Sequence, residues 1–136
     1  MTEASPGVRE RPLSPHLQIW RWHVTMLGSI LHRACLMALY VGALILVGWA
    51  LALASGPDAY ATYTGLLGSL LGKLVLIGLT FALFFQISSV VRHALWDTGR
   101  AFTPKVADTI TIASIVFAVV ATAVVWILAG VTGGLS

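Results

Sequence analysis

Residues 34–54, 74–91 and 109–136 carry no charged side chain. A helix needs about 20 apolar residues to cross the hydrocarbon of a bilayer. The first and third runs supply that directly, and the second does so once extended backwards through Gly65. Inside hydrocarbon the backbone amides have no water to bond, so each run must satisfy them internally as a helix. The expectation is an all-α integral membrane bundle of three transmembrane helices. Composition agrees: 58% of the chain is hydrophobic and 10% charged, against roughly 25% charged in a soluble domain.

The implied order is an N-terminal segment and approach to the first helix over 1–33, then helix 1 over 34–54. An external loop over 55–64, helix 2 over 65–95 and a second loop over 96–107 follow. Helix 3 covers 108–131, apolar from Ile110 to about Val131, and a tail of 132–136 ends the chain. The first run begins too late and runs too long to read as a cleaved signal peptide. The first eight residues hold no arginine, which speaks against an organelle transit peptide and for a bacterial source.

Basic residues near the span ends set the orientation. Arg9, Arg11, Arg21 and Arg33 precede the first run, and Arg92, Arg100 and Lys105 surround the second loop. The loop SGPDAYATYTG and the tail hold no Lys or Arg. The N-terminus and second loop are therefore expected on the cytoplasmic side, and the first loop and C-terminus outside. The net charge of +3 comes from only eight Lys and Arg spread along the chain. That leaves no stripe for a nucleic-acid backbone.

Smaller features fit this plan. Trp20, Trp22 and Trp96 lie beside the basic flanks, where an aromatic belt is expected. Thr103 and Pro104 suit a helix start, as cap and first-turn residue. Gly65, Gly68 and Gly72 read either as a close-packing face or as ordinary loop and helix-start residues. The single Cys35 excludes an internal disulfide and reads as a packing residue.

The polar residues gather at one end. Ser29, His32 and Arg33 precede helix 1, and Arg92, His93 and Asp97 follow the core of helix 2, on the same side by the orientation above. Ser29 with Arg33, and His93 with Asp97, are four apart and share a helical face. Ionisable groups at this depth are costly, which marks them as functional candidates. The topological alternative has Arg33 and Arg92 merely snorkelling to headgroups.

The run Arg11-Pro12-Leu13-Ser14-Pro15-His16-Leu17-Gln18-Ile19-Trp20, the run Ser29-Ile30-Leu31-His32-Arg33 and the run Arg92-His93-Ala94-Leu95-Trp96-Asp97 occur in order along the chain. They resemble the RPLSPHLQIY, S-I-x-H-R and R-H-x-x-W-D signatures of the cytochrome b subunit of succinate dehydrogenase, respiratory complex II, over nearly the whole length. The resemblance implies half of a two-subunit membrane anchor in a bacterial inner membrane, paired with a second small membrane anchor subunit. It also implies iron–sulfur and flavoprotein subunits as partners, haem b as a cofactor and ubiquinone as the substrate reduced. By the same resemblance Ser29 and Arg33 line the quinone site, and His32 and Arg33 lie near haem propionates. Asp97 would deliver protons or pair with Arg92 or His93. His16, Arg21 and His23 would contact soluble subunits or headgroups.

The sequence departs from that family at the haem. The family writes H-x-x-x-G-I-R-H where this chain reads Gln86-Ile87-Ser88-Ser89-Val90-Val91-Arg92-His93. The axial-ligand position holds Gln86, and an amide replaces imidazole poorly. His93 is the nearest alternative ligand, two turns further on. Leu36 and Val90 stand where small residues would admit a porphyrin, so the expectation is a partly filled pocket with haem absent or differently ligated. Gln86, Ser88 and Ser89 would face lipid unless a partner helix covered them. A non-redox scaffold or transporter accessory subunit is the competing reading. A stand-alone enzyme has no nucleophile–base pair, metal quartet or phosphate loop behind it.

Overall fold

A computed structural model of the chain describes residues 19, 21–99 and 103–133. Arg9, Arg11, His16, Trp20 and Arg100, and with them most of the first motif, lie outside the described residues. Four helices follow one another: α1 Val24–Ser55, α2 Pro57–Gly68, α3 Leu70–Asp97 and α4 Pro104–Val131. Of these, α1, α3 and α4 are long and apolar enough to cross a membrane. The all-α bundle of three spanning helices is what the apolar runs demanded.

The helix ends differ from expectation. Helix 1 begins at Val24, not residue 34. With 32 residues it is about 48 Å long, against roughly 30 Å of hydrocarbon. Charge marks where hydrocarbon ends, but a helix stops only where its backbone bonding stops. Ser29, His32 and Arg33 therefore sit inside α1 and not ahead of it. The expected loop 55–64 is largely the helix α2, begun by Pro57 at its first turn with Asp58 beside it.

The expected helix 2 breaks at Ser69. That residue's extended backbone ends α2 and caps α3, its Oγ donating to Leu66 O at 2.6 Å and accepting from Gly72 N at 3.1 Å. A Cβ at Gly72 would meet the carbonyls of Leu66 and Leu67, whereas one at Gly65 or Gly68 would meet nothing within 4 Å. Gly72 thus serves the α2–α3 corner, while Gly65 and Gly68 pack against no other helix among the described residues. Gly56, at φ 115°, turns the chain out of α1 in a conformation that favours glycine. Folding back, α2 lays Tyr63 on α1, where its hydroxyl donates to Ile45 O at 2.7 Å beside Gly48.

α3 packs along α4, and α1 lies against both. Cys35, Ala82, Phe85 and Ala118 are buried between them, with Leu31, Leu39, Phe81 and Ile115 packed around. Cys35 is the packing residue its isolation suggested. The inner face of α4 is Thr111, Ser114, Ala118 and Thr122, small side chains at helical spacing that let backbones approach in lipid. Their hydroxyls donate to the carbonyls of Ala107, Ile110 and Ala118 at 2.7–2.9 Å, so no polar atom is stranded there. Large apolar residues such as Leu44, Leu71 and Val120 face outward, as lipid or a partner helix requires.

Between the spanning helices the tightest approach lies at Gly28, where a Cβ would stand 2.5 Å from Thr111 Cγ2 and 3.0 Å from Arg92 Nη1. Overpacking of this kind costs about 1–3 kcal/mol. Gly28→Ala should therefore lower the thermal midpoint of the detergent-solubilised protein, while Gly65→Ala, with open space around it, should leave it unchanged.

Candidate functional site

One end of the bundle gathers the polar residues. The first turns of α1 bring Thr25, Gly28, Ser29 and His32. The last turns of α3 bring Gln86, Ser89, Arg92, His93 and Trp96, and the start of α4 brings Thr111. On α3 these residues recur every three or four positions, so they form one stripe facing α1 and α4.

Arg92 lies at the centre. It is only 3% exposed, so it does not snorkel to headgroups as the topological alternative supposed. Its Nη1 donates to Thr111 Oγ1 at 3.2 Å and its Nη2 to Ser89 Oγ at 3.1 Å. Its guanidinium carbon stands 5.2 Å from the centre of the Trp96 ring, a cation–π contact. Thr111 passes its own proton to Ala107 O at 2.8 Å, leaving its oxygen free to accept from Arg92. Arg92 thus ties α3 to α4, and Gly28 gives α1 the room to close over the pair. Asp97 is not its partner: that side chain is exposed, and among the described residues no carboxylate pairs with Arg92.

A second knot involves the histidines. Gln86 Nε2 lies 2.9 Å from His32 Nε2. The contact ties the Gln86 side-chain amide on α3 to the His32 ring on α1. Gln86 Oε1 is buried without a partner. The His93 ring is centred 5.5 Å from that of His32 and meets Trp96 edge-on at 5.4 Å. His93 Nδ1 donates to Ser89 O at 2.7 Å, which leaves Nε2 uncommitted.

Between α1 and α3 a cavity of about 90 Å³ is lined by Thr25, Ser29, His32, Arg92, His93 and Trp96. Ser29, with an exposed side chain, stands at its edge. Arg33 and Asp97 are exposed and take no part in the wall. The structure therefore brings together Ser29, His32, Gln86, Arg92 and His93 and keeps Arg33 and Asp97 on the surface nearby.

Three expectations change. Ser89 does not face lipid but is fully buried under Arg92, and Gln86 is half-buried against His32. Ser88 returns its proton to Phe85 O at 2.8 Å. The chain's own helices thus satisfy much of the polarity that had been assigned to a partner helix. Leu36 and Val90 are exposed and fill no pocket within this chain. Trp96 is not simply a belt residue: it is half-buried, stacked on Arg92.

Sequence reasoning missed Thr111, Gly28 and Thr25. The spacing of Thr111, Ser114, Ala118 and Thr122 was a visible signal for the inner face of α4. Nothing local marks Gly28 or Thr25.

Thr111→Val keeps the shape of the side chain but strands Arg92 Nη1, which should cost about 1–3 kcal/mol. Thr122 bonds only its own helix at 2.7 Å, so Thr122→Val should cost clearly less. Thermal unfolding of the two variants side by side measures the difference, and equal losses would contradict the keystone role of Arg92.

Residues 8–129 match the family described as succinate dehydrogenase/fumarate reductase transmembrane subunit. Over 89 residues the chain is 35% identical to the succinate dehydrogenase cytochrome b556 subunit of Paracoccus denitrificans, covering 65% of this chain and 68% of the relative. Its identity to the subunit of the same name from Rickettsia felis is 29% over 118 residues, 87% of this chain and 92% of the relative. The mitochondrial succinate dehydrogenase cytochrome b560 subunit of Sus scrofa is 36% identical over 98 residues, 68% of this chain and 56% of the relative. Three spanning helices, a polar cluster at one bundle end and a match over nearly the full length agree, and this chain belongs to the succinate dehydrogenase/fumarate reductase transmembrane subunit family.

Proposed function

We propose that the chain anchors a succinate:quinone oxidoreductase in the bacterial inner membrane and helps form its quinone-reduction site. A second small membrane subunit, an iron–sulfur subunit and a flavoprotein subunit are its partners in this reading. The apolar helices and the bacterial relatives make it a multi-pass membrane protein. A cytoplasmic N-terminus is supported by the placement of Arg21, Arg33 and Lys105.

The observation that carries the quinone site is the exposure of Ser29 and Arg33 on one face of α1, beside a cavity whose wall carries the polar side chains of Thr25, Ser29, His32, Arg92 and His93. Ser29 Oγ can donate to a quinone carbonyl, and the Arg33 guanidinium can hold the negative charge that develops as the ring takes electrons. The reaction draws two electrons, released when succinate becomes fumarate, and two protons, and gives the quinol. A stabilising donor at a developing oxyanion is worth about 10²–10³ in rate. Arg33→Ala should lower quinone reductase activity by about that factor and Ser29→Ala by about tenfold, the neutral donor being the weaker. Oxidation of succinate by a soluble artificial acceptor should persist in both. Unchanged quinone reduction in both variants would remove the assignment.

Haem b comes to the chain through relatives named as cytochromes b. The residues at the expected ligand position do not fit it. Gln86 turns its amide to His32 and buries its oxygen, and an amide holds haem iron poorly in any case. His93, with Nε2 uncommitted, is the other imidazole within reach on α3. In this reading Gln86 ligates no haem. A pyridine haemochrome assay on the purified complex should give well under one haem b per complex. Stoichiometric haem that disappears in His93→Ala would assign the iron to His93, and stoichiometric haem lost only in Gln86→Leu would contradict the reading.

A further inference from the structure

The Arg92 guanidinium is a full positive charge held out of solvent and met by neutral groups. It is 3% exposed, and its described contacts are the hydroxyls of Ser89 and Thr111 and the Trp96 ring. These contacts bond the group and leave its charge uncancelled. Among the described residues no carboxylate pairs with it. The charge also lies close to Ser29. A Cβ on Gly28, the residue before Ser29, would stand 3.0 Å from Arg92 Nη1. Arg92 and Ser29 line one cavity, whose other side chains are a hydroxyl, two imidazoles and an indole. The one permanent charge in that wall is therefore positive. A charge removed from water is weakly screened and acts at longer range than an exposed one such as Arg33.

This inference rests on the quinone site described above. We propose that Arg92 acts on that site through its charge alone, stabilising the quinone radical anion from behind Ser29 without touching it. One electron from the iron–sulfur partner turns the neutral quinone into the radical anion. A second electron and two protons then give the neutral quinol. A distant cation does little for either neutral form and favours only the anion between them, so it eases the first electron transfer. Arg33 meets the quinone oxygen in this arrangement, and Arg92 supplies the field. At an effective dielectric of about 20, a unit charge about 10 Å away favours an anion on the order of tenfold.

The test is a redox titration of the quinone radical by electron paramagnetic resonance, on the complex purified with its native partners. The radical's stability constant counts two radicals, so Arg92→Gln should lower it roughly a hundredfold. Arg92→Lys forfeits the same paired hydrogen bonds but keeps the charge, and should retain most of the radical. The kcat for quinone reduction should fall in Arg92→Gln with KM for quinone unchanged, because neutral quinone does not feel the charge. A merely structural role would lower the two variants alike. Thr111→Asp leaves the guanidinium in place and cancels its charge, which keeps the test open should Arg92→Gln not assemble. It should lose the radical, while Thr111→Asn, equal in shape, should keep it. Equal constants within either pair overturn the proposal. The quinone site itself is judged apart from this, by Ser29→Ala and Arg33→Ala. Loss of activity in those, with no difference between the charged and neutral Arg92 variants, removes only the role of Arg92.

Discussion

A buried guanidinium in a membrane bundle has to be held from several sides at once, and Arg92 organises this end of the protein accordingly. It is bonded to Ser89 on its own helix and to Thr111 on α4, and it is stacked on Trp96. Each partner constrains a different element. Thr111 fixes the register of α4 against α3, Trp96 extends order to the last turn of α3, and Gly28 sets how closely α1 can approach. Removing the charge from water costs several kcal/mol unless its donors are met. The helices therefore have strong reason to keep one relative arrangement, which apolar packing in lipid alone does not impose.

The rest of the site is built outward from that fixed point. With α1 held against α3, His32 reaches Gln86 and lies beside His93, while Ser29 comes to the cavity edge. Arg33, one residue further round the helix, is left on the outer surface. The bundle thus separates two kinds of polar residue: an inner set that bonds within the chain, and an outer set free to meet a ligand or another subunit. Gln86 belongs to the inner set. Its amide serves His32, which an imidazole turned outward to iron would not do.

Away from this end the bundle relies on small residues and on hydroxyls that bond their own helices. The stripe on α4 and the apolar cluster around Cys35 and Phe85 allow close approach without leaving polar atoms unmet. The outward faces remain broadly apolar. In a family of complex-forming membrane subunits, such faces are shared between lipid and neighbouring helices.

Much of this was legible in the sequence for a simple physical reason: hydrocarbon thickness and the demand for internal backbone bonding act on composition and length, which are linear properties. Charge-free runs gave the number and approximate place of the spanning helices, and three motifs in order pointed to the family. The sequence also placed Ser29, His32, Arg92 and His93 at one end. Only tertiary structure decided which of them meet. Burial of Ser89 and Arg92, the pairing of Gln86 with His32, and the room at Gly28 depend on distances between helices, and no local spacing encodes those. The start of helix 1 and the break before α3 were misjudged for a related reason, because charge reports the edge of the hydrocarbon while Val24 and Ser69 report where backbone hydrogen bonding begins or breaks.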